Sequence, residues 1–382
     1  MSLGRRLDDE RGVTAAIVAV TLFVLLGMLA LTVDLGFMTV KRRAMVRSAD
    51  AAALGYAESC TKLGIGTPDA QADALAVANV GNATRVGPAV WPIQGTCAPG
   101  AAVNGGSVTV TYEGESGVFF GRIFGVGDER VHATATAVWG PAVATSGVMP
   151  FMLNANQLSS CRIFPNPAPG TECWFYTNNG TNYIGNAQWG ALNVQPDPNQ
   201  PSTWGWNVPR NYSCPAPLYG TDQVRYAIAH GSPYLPTGNP DTYVCIATGV
   251  RTPAWEDFKA FENLADTDPN KIKVFPVNDP NRQVDASGNI CTSTMVASGL
   301  CRVNKYDIVG FTALQVKNVY AGTNNGKGKG KGGSWPAQCS ALGPNDPNAW
   351  CFRAVWIDYH QSDGLPCTTC PNYGVETVAL QQ

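Results

Sequence analysis

The chain has 382 residues, only 14% of them charged, and a formal net charge of −2. Because positive and negative charges nearly cancel, the chain has no overall basic field that would attract nucleic acid, and nucleic-acid binding is not expected. The 41 Gly and 27 Pro favour turn-rich β structure over long helices. The three His, at 132, 230 and 360, are scattered, so neither a His-based metal site nor any cofactor is predicted.

The first predicted element is an apolar segment from Val13 to Val33, which follows a short tail over residues 1–12. It contains no charged residue, and as a helix it would be about 31 Å long, the thickness of a bilayer core. A cleaved signal peptide has an apolar stretch of only about 7–15 residues. The segment is therefore predicted to be a transmembrane helix that acts as an uncleaved signal anchor.

The orientation of this helix is predicted from the cysteines. Cationic side chains lie on both sides of the apolar segment, so the positive-inside rule does not decide. All 12 cysteines come after residue 59, and an even, dense set of cysteines is typical of an oxidising compartment. We therefore expect a single-pass protein of the cytoplasmic membrane, with its N-terminus inside and its bulk extracytoplasmic.

The helix is predicted to continue beyond the membrane over residues 34–58, which contain no proline. Ala49, Ala53 and Ala57 recur every four residues, which either creates a close-packing face or reflects the high helix propensity of alanine. Asp34 follows the apolar segment directly. It either marks the end of the lipid phase or pairs with a neighbouring subunit.

The order of motifs in this region resembles a known family. Arg11-Gly12, the apolar segment, Val33-Asp34-Leu35-Gly36 and Ala49-Asp50-Ala51-Ala52-Ala53-Leu54 are similar to the N-terminal module of TadE/TadG-like proteins of bacterial Tad (Flp) pilus assembly. A weaker similarity covers residues 108–140. The resemblance implies an assembly helix that meets partner proteins, with these candidate contact residues: Asp34, Ala49, Asp50, Ala53 and Ala57.

One departure from the family pattern indicates which branch the chain resembles. Pilin-like members that are cleaved after a Gly carry Glu at the fifth position beyond the cut. Counted from Gly12, that position is Ile17. The resemblance is therefore to TadG-like proteins, which keep their anchor.

A small α/β unit is predicted over residues 59–145. Thr67 suits a helix N-cap and Pro68 the first helical position, so a helix is predicted from Pro68 to Val80. Residues 107–113 and 131–139 alternate in β fashion. Cys60 and Cys97 are the only cysteines of this unit, and they are predicted to pair.

Residues 146–382 are predicted to form a disulfide-rich, mostly-β domain with one helix, at Trp255–Leu264 after a Thr252 cap. The local pairs Cys161–Cys173 and Cys291–Cys301 are hypotheses, because ten cysteines allow many connectivities. Predicted strands cover 241–246, 271–277, 306–320, 352–359 and 375–380.

Two short motifs in this region could bind metal. Cys367 and Cys370 form a CxxC that is interpreted as a structural disulfide, with a metal or redox centre as alternatives. Asp266, Asp268 and Asn270 resemble the start of a calcium loop. Lys271 occupies the position that needs Gly, so a turn at the end of a helix is the preferred interpretation.

The sequence therefore predicts an α+β, membrane-anchored interaction protein that is not an enzyme, and the resemblance implies a component of a pilus-assembly system. Its expected partners are other pilus-assembly or envelope proteins and the membrane, with a cell-wall polymer as an alternative ligand. A glycan- or wall-binding surface adhesin is one alternative. It is suggested by tryptophans 174, 189, 204 and 206, for which a place in the core of a small β domain is the preferred interpretation, and by the Gly/Lys-rich segment 324–333, which is interpreted first as a flexible, solvated loop. A membrane-tethered hydrolase is the other, although no recognisable nucleophile–base set is present.

Overall fold

The computed structural model describes only part of the chain. The described residues are 5–61, 68–93, 105–125, 127–161, 170–177, 189–191, 208–211, 214, 225, 227–231, 235–236, 242–245, 252–321, 336–342, 350–357, 359–361, 364–367, 370 and 372–381.

The longest element is the N-terminal helix, which runs without interruption and is about 86 Å long at 1.5 Å per residue. It begins inside the predicted tail and ends three residues beyond the predicted extension. The helices of the described regions are α1 (Arg5–Thr61), α2 (Pro68–Asn79), α3 (Ala155–Ser160), α4 (Thr252–Lys259), α5 (Ser293–Ala297) and α6 (Ala337–Leu342). Short 3₁₀ helices lie at Gly121–Phe124, Ala260–Asn263 and Pro269–Lys271.

The remainder of the described chain is mostly β structure, as the Gly and Pro content predicted. The strands are β1 (Thr84–Arg85), β2 (Val90–Ile93), β3 (Gly106–Ser116), β4 (Glu129–Thr145), β5 (Phe151–Asn154), β6 (Glu172–Thr177), β7 (Trp189–Ala191), β8 (Val208–Pro209), β9 (Leu235–Pro236), β10 (Thr242–Cys245), β11 (Ile272–Asn278), β12 (Gln283–Val284), β13 (Ile290–Cys291), β14 (Lys305–Tyr306), β15 (Ile308–Ala321), β16 (Trp350–Trp356), β17 (Tyr359–Gln361), β18 (Leu365–Pro366) and β19 (Val375–Leu380). The α+β class is confirmed.

The first sheet carries the long helix. Its strands are ordered β1-β3-β4-β19-β17, with β2 on β3 and with β9 and β18 on β4. The alternation predicted for β3 places Val108, Val110 and Tyr112 on the face that packs against α1 and α2. On the opposite face, the Thr109 and Thr111 hydroxyls meet those of Thr136 and Thr134 at 2.7 and 2.9 Å.

A second, six-stranded sheet forms the largest core, in the order β6-β16-β15-β11-β5-β7. Phe258 of α4 packs edge-on against three phenylalanines of the sheet strands, with ring centroids 5.3 to 6.2 Å apart; these are Phe151, Phe275 and Phe352. Phe175 of β6 stacks on Phe352 at 4.7 Å. A five-stranded sheet, β13-β12-β14-β10-β8, lies alongside. The predicted helix over 255–264 is α4 followed directly by a 3₁₀ turn.

Two predicted strands are each divided, because the chain passes from one sheet to another. The strand predicted over 306–320 breaks at Asp307: β14 pairs with β10 and β12, whereas β15 pairs with β11 and β16. The strand predicted over 352–359 ends at Trp356, and β17 then pairs with β19 in the first sheet. A local alternation pattern contains no signal for such a change of sheet.

The C-terminal strands return to the first unit. Strand β4 ends at Thr145, where the boundary between the two predicted regions lies. However, β19 pairs antiparallel with β4, from Glu376 opposite Pro141 to Leu380 opposite Ala137. The last strand of the predicted 146–382 domain therefore completes the sheet on which α1 packs, and the two regions share this sheet.

Candidate functional site

Helix α1 changes character along its length. From residue 12 to residue 33 every side chain is exposed except Ala30, which is partly shielded. Among the described residues, α1 is the one helix long and apolar enough to cross a membrane. From residue 45 onwards the helix is largely buried between α2 and the first sheet. One rigid element therefore joins a membrane-spanning type of segment to a folded unit.

The attachment of α1 to the sheet begins at Asp34. The Asp34 carboxylate accepts hydrogen bonds from three consecutive backbone N–H groups: Phe119 and Phe120 at 3.0 and 3.1 Å to Oδ1, and Gly121 at 2.7 Å to Oδ2. Hydrogen bonds to an ionised acceptor are among the stronger ones. Asp34 thus has hydrogen-bond partners within its own chain, and pairing with a neighbouring subunit stays a hypothesis.

The buried face of α1 has a regular sequence spacing. The shielded positions Asp34, Met38, Lys41, Met45 and Ser48 follow each other at intervals of four, three, four and three residues. A helix of 3.6 residues per turn places such positions on one stripe. Leu35, the residue next to Asp34, is 54% exposed and lies off this stripe. The stripe that meets the sheet therefore starts at Asp34.

Polar contacts continue along the same stripe. The Lys41 ammonium donates to Asn82 Oδ1 at 2.9 Å, and the Asn82 amide donates to the Glu115 carbonyl at 3.3 Å. Further along, the buried Ser48 hydroxyl donates to the Ala76 carbonyl of α2 at 2.8 Å. These contacts fix α1 to both α2 and β3 beyond the end of the apolar segment.

The predicted small-residue face is occupied by the chain itself. Ala49, Ala53 and Ala57 are each 0% exposed and belong to a core formed with α2, β3 and β4. Gly55 lies so close to Leu75 of α2 that an added Cβ would collide with the Leu75 side chain. The face does allow close approach, as the spacing predicts, but to its own folded unit. Asp50, the remaining predicted contact residue, is half-buried.

The disulfides lie beyond α1. Cys60 is disulfide-bonded, and Cys97, its predicted partner, lies outside the described residues. Both hypothesised local pairs are present, and the CxxC pair Cys367–Cys370 is a disulfide. The remaining pairs are Cys214–Cys245 and Cys339–Cys351.

The calcium-like segment is held by lysines. Asp266 forms ion pairs with Lys271 at 2.8 Å and Lys317 at 2.9 Å. The hydrogen bonds from these two ammonium groups lower the pKa of Asp266 to about 2. Asp268 caps the following 3₁₀ helix by accepting from the Asn270 N–H at 2.8 Å. The carboxylates of this segment thus have protein partners, as expected for a turn.

The described residues contain no group of three or more His, Cys, Asp or Glu side chains that could hold a metal ion. Of the four clustered tryptophans, Trp174 is half-buried and stacks on Tyr320 with centroids 5.8 Å apart. The indole of Trp189, together with Trp204, Trp206 and the segment 324–333, lies outside what the structure describes.

The sequence analysis missed the loop that binds Asp34. Phe119, Phe120, Ile123 and Phe124 stand close together between two alternating strands, and this cluster of apolar residues in a turn was the available signal. Its proximity to Asp34 could not be foreseen, because 85 residues separate Asp34 from Phe119.

Comparison with known proteins agrees with the N-terminal module. No curated protein and no solved structure matches the chain. One family model matches, over residues 12–59, which covers the apolar segment, Asp34 and the buried half of α1. This part of the chain is similar to the family described as putative Flp pilus-assembly TadE/G-like proteins.

Proposed function

We propose that this protein is a TadG-like component of a Tad (Flp) pilus-assembly system. In this proposal α1 anchors it in the cytoplasmic membrane with the N-terminus inside, and it acts through protein–protein contacts, without catalysis. The observation that carries the proposal is the division of α1, which is apolar and exposed over 12–33 and built into a folded unit from 45 onwards. The family match spans both halves.

The structure limits where partner proteins can bind on this helix. The alanine face is covered by α2 and the first sheet, so it is closed to partners unless the unit unfolds. Most of the exposed side chains of α1 lie before residue 45, mainly in the apolar segment; Val46 and Arg47 are the exceptions. In the membrane, helices associate through close packing of such surfaces. We therefore assign the partner contacts of α1 to the spanning segment.

The proposed orientation rests on the position of the disulfides. All described disulfide partners lie at or after residue 60, which is C-terminal to the apolar segment. Disulfides persist in the extracytoplasmic compartment and are rare in the cytosol. The folded units therefore belong outside.

The test is complementation of a strain that lacks this protein, scored by surface pili. Wild-type protein should restore pili, whereas a variant with residues 13–33 replaced by an unrelated apolar span should insert normally and fail to restore them. A C-terminal reporter active only outside the cytosol checks orientation in both variants. Normal piliation in the deletion strain, or full rescue by the replaced span, would overturn the proposal.

A further inference from the structure

A second apolar surface lies beside the end of the membrane-spanning segment. The loop between β3 and β4 exposes Phe119 by 78% and Ile123 by 76%. The same loop donates the backbone hydrogen bonds that hold Asp34, the first residue after the apolar segment. Two large apolar side chains therefore project into the surroundings at the level where α1 leaves the membrane.

The surface of α1 at this level is apolar as well. Leu35, Phe37 and Val40 are 54%, 55% and 65% exposed, and they continue the apolar surface of residues 13–33 without a gap. The next residues, from Lys41 to Arg43, are cationic. Asp34 interrupts the sequence of apolar residues, but the three backbone N–H groups of the loop satisfy its carboxylate. The belt made of Leu35, Phe37, Val40, Phe119 and Ile123 is thus continuous with the membrane span.

We propose that this belt is embedded in the outer leaflet of the membrane that α1 crosses, so that the β3–β4 loop is a second, interfacial anchor. The proposal rests on α1 being a membrane span. Its occupant is phospholipid, because aromatic and aliphatic side chains beside a spanning helix favour the interface between acyl chains and headgroups. The exposed Arg42 and Arg43 then reach the anionic headgroups, whereas the Lys41 ammonium is held by Asn82.

The loop is held rigidly enough to keep a fixed depth. Besides the bonds to Asp34, the Arg122 guanidinium donates to both oxygens of Asp128 at 2.7 Å across the base of the loop. The bond between Lys41 and Asn82 fixes the next turns of α1 to the same unit.

Two points of attachment would restrain the folded unit in a way that one helix does not. A single span leaves the unit free to tilt in any direction with the helix. An interfacial loop on one side of α1 selects one tilt direction. The unit is then presented at a defined angle to its partners.

The experiment uses the full-length protein in native membranes, with the photoreactive residue p-benzoylphenylalanine in place of Phe119. Leu300 is the matched control, because it is also 78% exposed and lies far along the chain, near α5. Phe23 in the apolar segment, 70% exposed, reports separately on the span. After irradiation, intact-mass spectrometry reads covalent phospholipid adducts at each position.

Phospholipid adducts at 119 and 23 with none at 300 are the expected result. Adducts at 23 but none at 119 would overturn the loop anchor while leaving the membrane span intact. Cross-links from 119 to a second polypeptide, without phospholipid, would overturn the lipid occupant and assign the belt to a protein interface. Adducts at neither 23 nor 119 would overturn the membrane span and the loop anchor together.

Discussion

Because α1 packs against its own folded unit, a larger side chain at Ala53 should destabilise the protein. This side chain is 0% exposed in the core shared by α1, α2 and the first sheet. Ala53→Leu adds three carbon atoms to a site that is already filled. Overpacking of this kind costs about 1–3 kcal/mol of folding free energy.

The expected magnitude can be converted into a thermal shift. A loss of 1 kcal/mol lowers Tm by about 2–4 °C for a unit of 150–250 residues, so Ala53→Leu should lower Tm by about 2–12 °C. Thermal unfolding of the full-length protein in detergent, followed by circular dichroism, measures this. The matched control is Ala78→Leu on the exposed side of α2, which should change stability by no more than about 0.5 kcal/mol.

An unchanged Tm for Ala53→Leu would refute this reasoning. If the variant kept its stability but lost its partner proteins during purification from native membranes, the alanines would form a face between subunits. The structure predicts that Ala53→Leu lowers the stability of the protein itself, because the site is already filled by the protein's own core before any partner binds.

Three further predictions concern single side chains. Asp34→Asn should accelerate hydrogen exchange at the backbone amides of residues 119–121, because an amide accepts fewer hydrogen bonds than a carboxylate. Tyr112→Phe should lower the unfolding free energy by about 1.5–3 kcal/mol in urea titrations, because the buried hydroxyl donates to the Asp73 carboxylate at 2.7 Å. Burial raises the pKa of Asp307 to about 6, above its unfolded value of about 3.9. Between these two values the folded state keeps the carboxyl proton that the unfolded state has lost, so the free energy of unfolding falls as pH rises from about 4 to about 6. Asp307→Asn should remove that slope between about pH 4 and pH 7 and should not destabilise the protein at neutral pH.

Each of these predictions has a matched control. Asp50→Asn removes a carboxylate from the same helix and should leave exchange at 119–121 unchanged; equal acceleration by both variants would contradict the role of Asp34. Thr111→Val removes one hydroxyl of the exposed Thr111–Thr134 pair on the other face of β3. It should lower the unfolding free energy less than Tyr112→Phe does. Arg282 lies 3.0 Å from Asp307 and lowers its pKa, whereas Asp279 raises it. Arg282→Gln should therefore raise the pKa of Asp307 further and extend the loss of stability to higher pH. A loss of stability that ends at lower pH in Arg282→Gln would contradict the assignment to Asp307.

Several features of this protein follow from local sequence. The apolar segment 13–33, the absence of proline up to residue 58 and the small-residue spacing predict one long helix, because helix formation depends on residues within a few turns of each other. The alternation in β3 and β4 predicts their strands and their buried faces in the same way. The short-range disulfides at 161–173, 291–301 and 367–370 were proposed because their partners are near in sequence.

Contacts between distant parts of the chain were decided only by the tertiary structure. Asp34 meets a loop 85 residues away, and the last strand, β19, pairs with β4 in the sheet on which α1 lies. The alanine face packs on its own sheet, although the same spacing would serve a partner helix equally well. Periodicity shows that a face is suited to close contact, but long-range pairing decides which surface covers it, and that depends on the free energy of the whole fold.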